Sequence, residues 1–341
     1  MARLVVVSFR LGGTDGVSVE AHKWTAALRT LGHDVVHVAG GGPVDILIRE
    51  LAIDADGRSS LAPLQRAFAD ADLVIVENVA SLPLNPAARD VLYEALEGRK
   101  ALFHHHDLAW QREHLAHLDG PRDQPDWHHV TINDLSRRQL EDRGIHAVTL
   151  MNSFDCDPPV GNRAAIRRDL DVDQQCLMLL ATRAIPRKNI EGALRLAASL
   201  DAVLWLLGPS EDGYGPQLEA LLDAYDVDVR RGLGEGRTVH DAYAGADLVV
   251  MPSTWEGFGN PVLESVTHRR PLAIHPYPVA REIMSFGFEF FTLDDVGSIA
   301  AFLRDPDPTL LERNLEIART HFNVADLPAR LEALLAVVGV G

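Results

Sequence analysis

The chain has 341 residues, more than the roughly 250–300 at which a single hydrophobic core stops growing, so two domains are expected. Apolar residues make up 47% and charged residues 24%, an ordinary globular composition that argues against disorder. A net charge of −17 with no dense Lys/Arg run excludes a nucleic-acid partner held by a basic face and charge-driven docking on an anionic membrane. Local groups can still hold a phosphorylated ligand against that global field.

The two cysteines, Cys156 and Cys176, make no disulfide framework and no metal-type spacing, which predicts a reducing, cytoplasmic setting. The apolar start at residues 1–7 is too short for a signal peptide, and no run approaches the ~20 residues of a membrane span.

In chain order, residues 4–9 form a continuous apolar run, as in a buried parallel strand. A turn holding Gly12, Gly13 and Gly16 follows, then a helical pattern over 18–31 that stops at Gly32, then a strand over 35–39. This β-loop-α-β start predicts a doubly wound sheet. The alternation continues with a strand at 73–76, a helix at 86–97, strands at 101–105 and 130–132, a helix to Leu140 and a strand at 147–151. Residues 155–162 are rich in turn formers and read as a linker.

The second half repeats the pattern. Strands are expected at 176–181, 203–207, 227–229, 248–251 and 271–274, and helices at 189–199, 216–224, 239–244 and 261–267. A long helical pattern over 309–338 is interrupted near 322–328. The expected fold is therefore α/β, with two doubly wound Rossmann-like domains facing each other across a cleft. The predicted boundaries are 1–157 and 158–324, with a helix in 325–341 able to pack back on the first domain.

The most informative stretch is Pro252-Ser253-Thr254-Trp255-Glu256-Gly257-Phe258-Gly259-Asn260-Pro261-Val262-Leu263-Glu264. It follows a strand, and Asn260 before Pro261 reads as an N-cap and first helical residue. Backbone N–H groups of Phe258, Gly259 and Asn260 would point out of that helix N-terminus, which favours a diphosphate. Glu256 in the loop and Glu264 in the expected first turn would flank the same helix mouth, and ionised carboxylates suit sugar diols. The bland alternative is that Glu264 complements the helix dipole and Glu256 is solvated.

A second stretch, Thr182-Arg183-Ala184-Ile185-Pro186-Arg187-Lys188-Asn189, also follows a strand and opens a helix. Cations at a helix N-terminus oppose its dipole unless an anion binds there. In the first half, His104-His105-His106-Asp107 ends a strand. His104 and His106 share a face, so a metal site is conceivable, but no third ligand is visible in the sequence and a structural role is favoured.

These segments together resemble the family-4 retaining glycosyltransferases of the two-lobed GT-B fold. The glutamate-glycine-phenylalanine-glycine signature with its second glutamate carries the resemblance. It implies that Glu256 contacts the transferred sugar, that Glu264 binds the ribose hydroxyls, and that Phe258, Gly259 and Asn260 lie along the sugar and phosphates. It places Arg183 and Lys188 on the donor diphosphate, with Arg187 the lesser contributor. Gly16 matches the second of two family glycines that approach the phosphates, and Asp15 stands where the first would be. His106, or His104 if the strand is shorter, matches a sugar-contacting histidine. Asn152-Ser153-Phe154-Asp155 resembles a family Asn-Gly-x-Asp before the linker, with serine for glycine, and Glu282 matches a further family glutamate. Residues 275–278, His-Pro-Tyr-Pro, depart from the family pattern and predict a subclass-specific wall.

The resemblance implies transfer of a hexose from a UDP- or GDP-sugar to an acceptor hydroxyl, a small molecule, glycan or glycolipid, with retained, alpha configuration. The first domain would bind the acceptor and the second the donor. No cofactor and no metal are expected. The alternatives of the same shape are a sugar-nucleotide epimerase, a phosphorylase relative and a non-catalytic nucleotide-sugar-binding subunit. Neither epimerase acid/base groups nor a pyridoxal lysine is identifiable.

Overall fold

The computed structural model describes residues 1–55, 60–211 and 213–340, which divide into two compact units. Unit 1 comprises Met1–Ser153 with Val324–Gly341, and unit 2 comprises Phe154–Asn323. The first division thus falls at 153/154 rather than 157/158. The reason is that Phe154 is bridged to Asn323, its N–H donating to the Phe322 carbonyl at 2.7 Å, so 154–157 belong with the second unit.

Unit 1 opens with β1 (Arg3–Ser8), α1 (Gly16–Thr30), β2 (Asp34–Ala39), β3 (Ile46–Leu47) and α2 (Leu61–Ala67). It continues with β4 (Leu73–Glu77), α3 (Pro86–Leu96), β5 (Ala101–His105), β6 (Trp127–Thr131), α4 (Asp134–Glu141) and β7 (Ala147–Thr149). The sheet order is β3-β2-β1-β4-β5-β6-β7, and every pairing is parallel. Because side chains alternate along a strand, the β1 run feeds two cores. Val5 and Val7 pack with Val74, Val76 and Phe103 on one face, and Leu4 and Val6 with Leu73, Ile75 and Leu102 on the other. Burial on both faces is why the strands read as unbroken apolar runs.

Unit 2 opens with α5 (Arg163–Asp169), β8 (Leu177–Leu180), α6 (Ile190–Leu200), β9 (Val203–Leu206) and α7 (Gly215–Asp223). There follow β10 (Val229–Arg231), α8 (Val239–Gly245), β11 (Leu248–Met251), α9 (Asn260–Thr267) and β12 (Leu272–Ile274). Last come α10 (Pro278–Met284), β13 (Phe291–Thr292), α11 (Val296–Arg304) and α12 (Pro308–Phe322). Its parallel sheet has the order β10-β9-β8-β11-β12-β13.

The chain then returns to unit 1 as α13 (Leu327–Val338), whose Leu327, Leu331 and Leu335 join Trp24 and Leu28 of α1 in one core. The short elements β3, α2, α5, α10, β13 and α11 have no counterpart in the sequence reading. Each of them spans two to nine residues, too few for a strong periodic signal.

In each sheet the chain reverses direction once, between β1 and β4 and between β8 and β11. Open α/β sheets bind ligands outside the carboxyl ends of the strands flanking that switch point. The loops leaving β1, β8 and β11 lead to Gly16, to Arg183 and Lys188, and to Glu256 with Phe258 and Gly259, whereas His106 follows β5, the neighbour of β4.

Candidate active site

In unit 2 the loop after β8 carries Arg183, Arg187 and Lys188, and the loop after β11 carries Glu256 and the glycines. The two loops are laced together. Thr254 donates its N–H to the Arg187 carbonyl at 2.9 Å, Asn189 Nδ2 donates to the Pro252 carbonyl at 3.2 Å, and Arg187 Nη1 donates to the Trp255 carbonyl at 2.8 Å. Asn189 itself takes a left-handed conformation and caps α6, its side chain accepting from the Gly192 N–H. That turn ends a short 3₁₀ segment, Pro186–Lys188, and folds the cations toward Glu256.

Glu256 is 6% exposed and accepts from Lys188 Nζ, itself 6% exposed, and from Arg187 Nη1 at 2.6 Å. Burial pushes the Glu256 carboxyl up, but Lys188 and Arg187 outweigh it and hold the pKa below the ordinary value. For Lys188, burial lowers the pKa most. Glu256 raises it, Arg187 and Arg183 lower it, and the net direction is down. Arg183 sits close enough for its charge to be felt at Lys188, and its side chain pairs with Glu211 at the half-exposed rim. Arg187 thus holds Glu256 together with Lys188.

Two expectations about the glycine loop are corrected. The N-cap of α9 is Gly259, in the left-handed region with φ 93°, while Asn260 is the first helical residue. Glu264 consequently lies beyond the first turn, and its carboxylate accepts from the Tyr243 hydroxyl at 2.6 Å. Phe258 is 3% exposed, its ring stacked near Phe154 at 5.9 Å and edge-on to Phe322. The side chain is core, so only its backbone can lie along a ligand.

Within residues 275–278 the sequence reading assigns no role to Tyr277 itself. Tyr277 is buried and donates its hydroxyl to the Phe258 carbonyl at 2.8 Å. A Cβ at Gly259 would stand 2.1 Å from that hydroxyl, so glycine is required by close approach as well as by φ. Glu282 lies in α10.

In unit 1 Gly16 is the first residue of α1 and exposed, and a Cβ there would meet nothing within 4 Å. Its neighbour Asp15 caps the helix: Oδ1 accepts from the Ser18 N–H at 3.1 Å and Oδ2 from the Ser18 hydroxyl at 2.9 Å. A carboxylate thus occupies the helix end where the resemblance places a glycine. Ser153 donates its N–H to Glu20 and its carbonyl accepts from Lys23.

The third partner of the histidine cluster is Glu77, at the end of β4 and in register with His104 of β5. Glu77 Oε2 lies 3.0 Å from His104 Nδ1 and 2.7 Å from His106 Nε2, with all three residues buried. His104 stacks on Trp24 with ring centroids 4.1 Å apart. Burial pushes Glu77 up, but the charges and hydrogen bonds of His104 and His106 bring it to about 2. Burial lowers His106, and Glu77, Glu20 and Asp107 outweigh this and raise it. His104 is lowered, chiefly by burial.

Among the described residues this is the one group of three or more ligand-type side chains whose ligand atoms all lie within 4.8 Å of one another. Two ligands on a tetrahedral zinc at 2.0–2.1 Å stand roughly 3.3 Å apart. Separations of 2.7–3.0 Å are instead those of hydrogen bonds. Glu77 thus holds both His104 and His106 in hydrogen bonds. The His106 and Asp107 N–H groups both donate to Asn78 Oδ1 at 3.1 Å. Among the described residues, no helix is long and apolar enough to cross a membrane.

Residues 162–304 match the model of the family described as Glycosyl transferases group 1. The mannosylglucosylglycerate synthase of Petrotoga mobilis is 28% identical, aligning 88% of this chain with 87% of that one. The enzyme of the same name from Thermotoga maritima is 26% identical over 98% of this chain and 99% of its own. Among solved structures, Anabaena HepE in complex with UDP and glucose superposes with a TM-score of 0.76 at 15% identity, covering 99% of this chain and all of that one. Sucrose-phosphate synthase from Thermosynechococcus elongatus gives 0.76 at 16% identity, covering 99% of each. The chain is thus a glycosyltransferase of the GT-B fold whose residues 162–304 match the model of the Glycosyl transferases group 1 family.

Proposed function

We propose that this enzyme transfers a hexosyl unit from a UDP- or GDP-sugar to a hydroxyl of a small acceptor, with retention of configuration and without a metal. The observation that supports this most directly is the grouping of Arg183, Arg187 and Lys188 with Glu256 on loops leaving the switch-point strands β8 and β11. Three cations suit a leaving diphosphate, and they stabilise its charge as the bond breaks, the role a divalent ion otherwise serves. Glu256 would then exchange contacts with its cations for contacts with the sugar. Glu264 would hold the ribose.

No carboxylate needs to attack the sugar in this reading. The anomeric carbon–phosphate oxygen bond breaks while the acceptor oxygen bonds to the same face of that carbon. The acceptor proton passes to the departing phosphate oxygen. His106, held by Glu77, would contact the transferred sugar, and unit 1 would bind the acceptor. The relatives named mannosylglucosylglycerate synthase make mannosyl transfer to glucosylglycerate the first pairing to test. A cytoplasmic location belongs to the same proposal.

The test is incubation with UDP- and GDP-linked glucose and mannose, with glucosylglycerate as acceptor and excess EDTA, followed by NMR of the product. Release of nucleoside diphosphate and an alpha linkage are expected. A beta linkage, or loss of activity with EDTA that magnesium or manganese restores, would overturn the corresponding part.

A further inference from the structure

Behind Glu264 stands an aromatic stack that none of the motifs explains. Tyr243 on α8 is fully buried, and its hydroxyl reaches Glu264 Oε2 at 2.6 Å. His268 lies over the Tyr243 ring, centroids 4.5 Å apart and planes 20° from parallel. His240 lies in turn over His268 at 5.2 Å.

The hydrogen bonds fix the protons in this stack. His268 Nδ1 is 2.7 Å from the Glu264 carbonyl oxygen, so it carries a proton and donates. Its Nε2 is then an acceptor, and His240 Nδ1 donates to it at 2.9 Å. Burial above all drives the His268 pKa to about 4, so the ring stays neutral. Burial, then the Glu264 charge, raises Tyr243 well above the ordinary phenol. The phenol therefore stays protonated and donates to the carboxylate.

We propose that Tyr243, backed by His268, is a positioning residue that presets the Glu264 carboxylate for the ribose diol of the donor. A glutamate on a helix has several rotamers, and choosing one on binding costs affinity. A charge-assisted hydrogen bond from a packed phenol meets that cost in advance. A carboxylate has about four lone-pair sites, so the bond from Tyr243 does not by itself saturate it.

The inference rests on the reading that Glu264 meets the ribose, and the experiment separates the two. UDP and GDP, with their 2′-deoxy and 3′-deoxy counterparts, are titrated calorimetrically into the native enzyme, Glu264→Ala and Tyr243→Phe. The native enzyme should prefer the ribose form over at least one deoxy form by about tenfold, the worth of one charged hydrogen bond. Tyr243→Phe should lose most of that preference, raise the donor KM and leave kcat nearly unchanged. His268→Ala should lose part of it, and this variant serves if Tyr243→Phe does not fold. No preference in the native enzyme would sink the ribose reading itself. A preference abolished in Glu264→Ala yet intact in Tyr243→Phe or His268→Ala would overturn the positioning role, even if both variants melt earlier.

Discussion

Lys188 and Glu256, 68 residues apart in the chain, meet as a buried ion pair in which each is 6% exposed. Removing one partner strands the other charge in a desolvated place, a loss that for buried pairs is about 3–5 kcal/mol. Arg187 keeps a hold on Glu256, so Lys188→Met should cost about 3 kcal/mol or slightly less. The double variant Lys188→Met/Glu256→Leu should recover part of the loss. Urea unfolding of the three proteins measures this. An unchanged midpoint in Lys188→Met would show that the pair contributes nothing to the fold.

Much of this site was legible in the sequence because its parts are local. Glu256 with Gly257 and Gly259, and the cations, each lie on one loop after one strand, with Glu264 in the helix that follows, where turn and cap chemistry is readable. What was missed acts across strands. Glu77 becomes the partner of His104 only because β4 lies beside β5, an adjacency that spacing along the chain does not encode. Tyr277 and Tyr243 are likewise ordinary apolar-pattern residues until their hydroxyls are placed against Phe258 and Glu264. The shift of the α9 cap from Asn260 to Gly259 is the one-residue ambiguity usual at helix ends.

The Gly259–Tyr277 approach predicts opposite signs for single and combined changes. Gly259→Ala meets both a φ of 93° and a hydroxyl 2.1 Å from the new carbon. The backbone strain alone is about 1–3 kcal/mol. Tyr277→Phe alone should destabilise by about 1 kcal/mol through loss of the bond to the Phe258 carbonyl. In the Gly259→Ala background the same change should stabilise, because it deletes the clashing oxygen. Thermal melts of the four proteins check this, and additive losses would contradict the steric account.

The Glu77 cluster should show in the pH dependence of stability. The folded pKa of Glu77 is about 2 against an ordinary 4.5. Its contribution is therefore present above pH 4.5 and lost as pH falls toward 2. His106 is raised above 6.5, so its contribution is full below pH 6.5 and lost as pH rises through the folded value. Glu77→Gln should flatten both limbs of the profile of unfolding midpoint against pH. Parallel profiles for native and variant enzyme would show that the cluster is not ionised in this way.

Arg183 pairs with Glu211 where both side chains are well exposed, 40% and 39%. A pair of this kind is weak and opens readily to a phosphate. Arg183→Ala should weaken nucleoside-diphosphate binding by about 1.5–3 kcal/mol, as for other charge-assisted hydrogen bonds. Glu211→Gln should leave the affinity unchanged or slightly tighter. Calorimetry distinguishes the two, and unchanged affinity in Arg183→Ala would remove that residue from the clamp.

Glu256 and Glu264 should separate turnover from product binding. Glu256 neutralises Lys188 and Arg187 in the ligand-free protein. Glu256→Ala therefore leaves two cations without their carboxylate, and nucleoside diphosphate should bind at least as tightly as to the native enzyme. The same variant lacks the contact proposed for the sugar, one strengthened as the glycosidic carbon gains charge. Losing such a contact lowers kcat without a matching change in ground-state affinity. Glu264→Ala should do the reverse, weakening nucleoside diphosphate and donor alike while keeping more of kcat. Titration with UDP or GDP and a transfer assay at saturating donor give both quantities for each variant. If Glu256→Ala weakens the nucleoside diphosphate as much as Glu264→Ala does, then Glu256 does not compete for the clamp and the division of roles fails.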